Sequence, residues 1–159
     1  MKQYLPLIGL FVVIVGLMIF GSAAGVAPWA FVKSPAQTSV TIGELKIKAD
    51  IVKTEKEQQK GLGGREKLAE DGGMLFVFDK ENKYNFWMKD VKFPIDIIWI
   101  SKEKKVVDFY QNAEVQLAVP DSQLRIYSPS SSALYVLEVN AGEIEKYHIG
   151  VGNEVKFTI

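Results

Sequence analysis

The sequence predicts a mainly β domain, a compact antiparallel barrel or sandwich with two short helices, preceded by one N-terminal transmembrane helix. Three observations lead there. From residue 40 onward, short apolar runs with period-2 alternation are separated by turn residues. Only two short segments in that region carry helix-start signals, and no strand–helix–strand alternation argues for a parallel sheet. Before it, Gln3 to Val32 form a run of 30 residues without a single charge.

The apolar heart of that run, Tyr4 to Phe20, is 17 residues long. As a helix it measures about 26 Å at 1.5 Å per residue, and Gly21–Ala27 extend it to the roughly 30 Å of a bilayer core. Pro6 falls in the first turn, where a missing N–H is tolerated. Trp29, Phe31 and Lys33 follow in the order of a membrane–water interface. The expectation is a single-pass cell-membrane anchor over residues 1–32, with the N-terminus cytoplasmic by the positive-inside rule and the remainder extracytoplasmic. The alternative is a signal peptide cut after Ala24, which would secrete the same domain.

Residues 33–39 (KSPAQTS) read as a polar linker, and 40–159 as one domain. Val40–Ile42 and Glu44–Val52 are strand-like around Gly43, with Leu45, Ile47, Ala49 and Ile51 on one face. Thr54-Glu55-Lys56-Glu57 is a capping box, and Gly61 is placed to end the helix it starts. Gly61–Gly73 read as irregular. Five apolar runs follow, Met74–Phe78, Tyr84–Met88, Ile95–Ile100, Val106–Tyr110 and Leu134–Val139, with Lys102–Lys105 as a hairpin turn. Asn140 is expected to cap a short helix reaching about Tyr147, before a last strand at Glu154–Thr158.

Charge is balanced at 19 Lys+Arg against 19 Asp+Glu; without Lys2 the remainder has 18 against 19, or −1. No basic field for nucleic acid is present. There are no cysteines, so disulfides and thiolate metal sites are excluded. With His148 the only histidine, paired-histidine metal motifs are excluded too, and no metal or cofactor is expected. His148 reads as a residue closing the last helix. Gly61-Leu62-Gly63-Gly64 lacks the Gly-Lys-Ser/Thr of a phosphate loop, and Ser128, Ser130, Ser131 and Ser132 lack a nucleophile elbow.

The informative residues are charges inside strands. Alternation puts Asp96 on a face with Ile98 and Ile100, and Glu138 with Leu134 and Val136. A carboxylate on an apolar face must be paired, hydrogen-bonded or neutralised. Arg65 and Lys89 are the candidate cations, and Trp87 shares a face with Lys89. Structurally, Arg65 would bond Asp96 or Glu138 and tie the irregular segment to the sheet. Functionally, Arg65, Trp87, Lys89, Asp96 and Glu138 would line a polar pocket.

Five stretches carry a family resemblance: GLGGREKL (61–68), GGMLFVF (72–78), FWMKDVKFPIDIIWI (86–100), YVLEVNAG (135–142) and HIGVGNEV (148–155). In this order they resemble the domain of unknown function 192 family, small exported or membrane-attached prokaryotic proteins. The resemblance implies a compact β-rich fold and assigns no activity. The chain departs from the family pattern at Gly63, where methionine is usual, at Asp90, where asparagine is usual, and at Asn153 in place of an aspartate.

The expected function is a tethered extracytoplasmic module whose cleft holds a small polar ligand, aromatic-plus-carboxylate linings suiting carbohydrate or another envelope component. Two alternatives stand beside it: a hydrolase using Asp96 and Glu138 as an acid–base pair, and a structural or partner-binding domain. The expected partners are the cytoplasmic membrane and that small ligand, with no nucleic acid.

Overall fold

The structure, a computed structural model, describes residues 35–159, which form one compact unit. The expected anchor at 1–32 lies outside the described residues; among those described, no helix is long and apolar enough to cross a membrane.

Seven strands form one sheet: β1 (Gln37–Ile42), β2 (Leu45–Val52), β3 (Gly72–Asn82), β4 (Ile95–Ile100), β5 (Val106–Ala113), β6 (Ala133–Asn140) and β7 (Val155–Lys156). Two short helices accompany them, α1 (Glu55–Lys60) and α2 (Glu143–Lys146). The strand order is β5-β4-β6-β3-β2-β1-β7. The sheet curls into a half-barrel, and its two margins meet at one end. There Val106 N–H donates to the Asn153 carbonyl at 2.9 Å, and Val155 N–H to that of Lys104 at 2.8 Å.

The mainly β expectation holds, but one pair is not antiparallel. β2 and β3 run parallel, Lys48 to Val52 against Gly72 to Phe76. The crossover over residues 53–71 contains α1, so a strand–helix–strand unit is present after all. Its helix is a six-residue turn followed by irregular chain, too short to announce a parallel connection by periodicity. α1 itself opens as expected: Thr54 Oγ1 accepts from Glu57 N–H, and the Glu57 carboxylate accepts from Thr54 N–H. Gly61, at φ +48°, closes it.

Other differences are local. Gln37–Ser39, expected as linker, belong to β1 and pair with Lys48–Asp50. Tyr84–Met88 is not a strand. Only Phe86 pairs, in an isolated bridge to Tyr127, although Phe86 and Met88 are buried and Trp87 and Lys89 point outward as alternation predicts. Asn140 does not cap α2; its side-chain amide donates to the Ala69 carbonyl at 2.7 Å.

Both faces of the sheet are covered, which is why all six residues of β4 are buried. One face, inside the curl, holds Leu45, Ile47, Leu75, Ile98, Ile100 and Leu137, with Ile144 of α2 against them. The opposite face holds Met74, Phe76, Ile97, Trp99 and Val136, covered by Leu62, Phe86 and Met88 from irregular chain.

Three strands come unusually close at Gly73. A Cβ there would lie 2.6 Å from Ile47 Cγ2 and 2.9 Å from the Glu138 carbonyl oxygen, so glycine sets the spacing of β2, β3 and β6 beside Glu138.

Candidate functional site

Register decides which of the singled-out charges can meet. Across β2, β3, β6 and β4, Asp50 pairs with Met74, Met74 with Glu138, and Glu138 with Ile97. These four side chains form a row on the face covered by irregular chain. Asp96 pairs with Val139 instead, and so projects from the other face. The two carboxyls therefore do not share a site, and the acid–base pair expected for a hydrolase is not assembled.

Asp96 is fully buried. One carboxylate oxygen accepts from Asn112 N–H at 2.8 Å, at the bend ending β5. The other accepts from Ile144 N–H at 2.9 Å, in the first turn of α2. Both donors are backbone groups that a curved strand and a helix start leave free, so Asp96 holds β4, β5 and α2 together.

Arg65 bonds neither Asp96 nor Glu138. Its Nη2 donates to Asp50 Oδ2 at 2.7 Å, and Gln37 Nε2 donates to Asp50 Oδ1, also at 2.7 Å. Asp50 was not among the sequence candidates. It shares a face with Lys46 and Lys48, which are exposed, yet it is itself buried, bonded by Arg65 from far along the chain and by Gln37 of the neighbouring strand. The tie between irregular segment and sheet is real, but its anchor is on β2.

Glu138 has a different environment. It is buried at 4% exposure, and its Oε2 has no hydrogen-bond partner. Burial pushes its carboxyl up to about 8, against a smaller opposing effect of the nearby Arg65 guanidinium. At neutral pH it is therefore mostly a protonated acid, able to donate as well as accept.

Glu138 lines a cavity of about 220 Å³. Its walls are aromatic: Phe76, Phe78, Tyr84 and Phe86. Phe78 and Tyr84 stack at 3.5 Å between ring centres, and Phe76 meets Phe86 edge-on at 4.9 Å. Trp99, packed edge-on to Phe86, donates its indole N–H to the Tyr84 carbonyl at 2.9 Å and so fixes the chain carrying the wall. The mouth is polar, with Gln58 and Gln59 of α1, Asn85 and Lys89. Trp87, 41% exposed, lies at the mouth and continues into an outer cleft with Lys60, Asp90 and Lys92. Lys89 is ion-paired with Asp121, which keeps its ammonium above its ordinary pKa.

Of the five residues expected to converge, Trp87, Lys89 and Glu138 share this cavity, Arg65 adjoins Glu138 electrostatically, and Asp96 lies on the other face. The aromatic wall and the amides of α1 are contributors that the sequence reading did not assign. Among the described residues, no cluster of three or more His, Cys, Asp or Glu could hold a metal ion.

The comparisons agree with this architecture. The chain is similar, at 26% identity and a TM-score of 0.68, to the crystal structure of a "putative transcription regulator" from Sinorhizobium meliloti 1021, over 78% of this chain and 95% of that one. It is likewise similar, at 27% identity and a TM-score of 0.66, to a protein of unknown function from Novosphingobium aromaticivorans DSM 12444, over 76% of this chain and 84% of that one. No curated protein matches it. Residues 38–157 match the family model DUF192, "Uncharacterized ACR, COG1430", and the chain belongs to that family.

Proposed function

We propose that the domain is a binding module for a small polar ligand, held on the outer side of the cytoplasmic membrane by residues 1–32. The observation that carries the reading is the buried, unpartnered carboxyl of Glu138 in the lining of an aromatic-walled cavity. Buried polar groups are ordinarily bonded, and a lone acid on this face destabilises the fold relative to an apolar residue of similar size. A ligand that bonds Glu138 removes that cost; the Asn85 amide adds a polar contact in the lining, while the amide nitrogens of Gln58 and Gln59 already donate to the Val77 carbonyl and to Glu55, leaving their oxygens as acceptors. Binding is favoured over hydrolysis because Asp96, the second carboxyl that two-carboxylate chemistry would use, faces the other side of the sheet. The 30-residue uncharged run supports the tether.

The test is a thermal-shift screen of the full-length chain with small sugars, polyols and amines. A binder at 100 times its Kd stabilises by about 2.7 kcal/mol. That stabilisation should fall away in Glu138→Gln and Trp87→Ala proteins that melt as cooperatively as the parent. A ligand stabilising both variants as strongly as the parent would place binding elsewhere.

A further inference from the structure

We infer that the cavity takes an alkylammonium group, its carbon chain along the aromatic wall and its nitrogen on the Glu138 carboxyl. The inference rests on the cavity being a ligand site and names the ligand class.

Four features of the site select a cation. Glu138 is part of the cavity lining and its buried Oε2 lacks a partner, so once ionised its carboxylate is met by no protein hydrogen bond at that oxygen. The cation closest to it in effect, Arg65, has its Nη2 engaged by Asp50 at 2.7 Å. Of the charged groups at the mouth, Lys89 is held by Asp121, and neither Lys60 nor Lys89 hydrogen-bonds Glu138; Glu55 adds a further negative charge there. The walls, with Trp87 at the opening, are aromatic, and ring faces attract ammonium groups while repelling anions. Size also matters: about 220 Å³ lies below the roughly 300–1,000 Å³ of pockets that enclose drug-sized ligands, and suits a short aliphatic amine or the amine end of something larger.

Charge selection implies a proton balance. The ammonium needs Glu138 ionised, so binding releases about one carboxyl proton per event at pH 6 and about half a proton at pH 8, where half of the free carboxyls are already ionised. Tyr84, Lys60, Lys89 and Glu55 also line the cavity, and Arg65, which acts on Glu138 electrostatically, is ion-paired with Asp50 outside the lining. The tyrosine is held above its ordinary pKa by burial, and Lys89 above its own by Asp121. The proton released between pH 6 and 8 is therefore that of Glu138.

The experiment is titration calorimetry of the full-length chain in a sugar-free non-ionic detergent, with n-butylammonium, 1-butanol and butyrate as probes at pH 6, 7 and 8. Butylammonium should bind and the other two should not. Its affinity should rise about 50-fold from pH 6 to 8 as the ionised fraction of Glu138 climbs from about 1% to about half. Glu138→Gln should abolish binding. Trp87→Ala, at an exposed position, should weaken it and keep its pH dependence. If 1-butanol or a neutral sugar binds as well as the amine, or affinity falls with rising pH, the cation assignment is overturned and the ligand site stands. If no probe and no member of the screen binds, both readings fail.

Discussion

Replacing Glu138 by glutamine should remove a pH dependence that the wild-type fold carries. The carboxyl titrates near 8 in the native state against 4.5 as its ordinary value. Between these values the native chain holds a proton that the unfolded chain has released, so stability falls as pH rises through the window. Below about 4.5 both states are protonated and Glu138 contributes nothing; above about 8 the full penalty applies. At 1.36 kcal/mol per unit, the penalty is on the order of 1 kcal/mol at pH 5 and roughly 4 kcal/mol at pH 8, so a few kcal/mol are lost across that window. The assay is urea unfolding of both proteins, followed by tryptophan fluorescence, at pH 5, 6, 7 and 8. Groups common to both cancel in the difference, and the constant effect of burying an amide shifts every point equally. Glu138→Gln should gain on wild type by a few kcal/mol, roughly 3, between pH 5 and 8. A difference that stays flat across that range would refute the buried, unpartnered acid.

Three other changes test the frame around the site. Asp96→Ala strands the Asn112 and Ile144 N–H groups, at about 1–3 kcal/mol each, and should lower the urea midpoint sharply while the folded fraction keeps its ligand. Gly73→Ala forces a methyl against Ile47 and the Glu138 carbonyl and should cost about 1–3 kcal/mol, with weakened binding because β6 shifts beneath Glu138. For the tether, the full-length chain should resist alkaline extraction from membranes, and protease added from outside should release the domain. Recovery of a soluble protein beginning at Gly25 would favour the cleaved-leader alternative.

Much of the sheet is legible because side-chain alternation is a local property. The two faces of β4, the position of Glu138 beside Val136 and the capping box of α1 follow from spacing alone. What escapes local reading is partnership. Asp50 looks solvated because Lys46 and Lys48 precede it on the same face, and its burial comes from residues far along the chain. Arg65 reaches this nearer acid and leaves Glu138 bare. The cap of α2 comes from Asp96, nearly fifty residues upstream, where sequence proximity pointed to Asn140. Residues 84–88 have a strand's apolar alternation, yet the chain there pairs only at Phe86; Tyr84 to Trp87 line the cavity and Met88 enters the core. The parallel β2–β3 pair is hidden for a related reason: a six-residue helix carries too little periodicity to signal a crossover.

Native mass spectrometry of the full-length chain released from its own membranes tests the central claim most directly. Wild type should carry one small molecule per chain, lost in Glu138→Gln and reduced in Trp87→Ala while both variants remain folded. An equal load in all three proteins, or a molecule lost only when Asp96 is changed, would contradict the assignment of the Glu138 cavity as the ligand site.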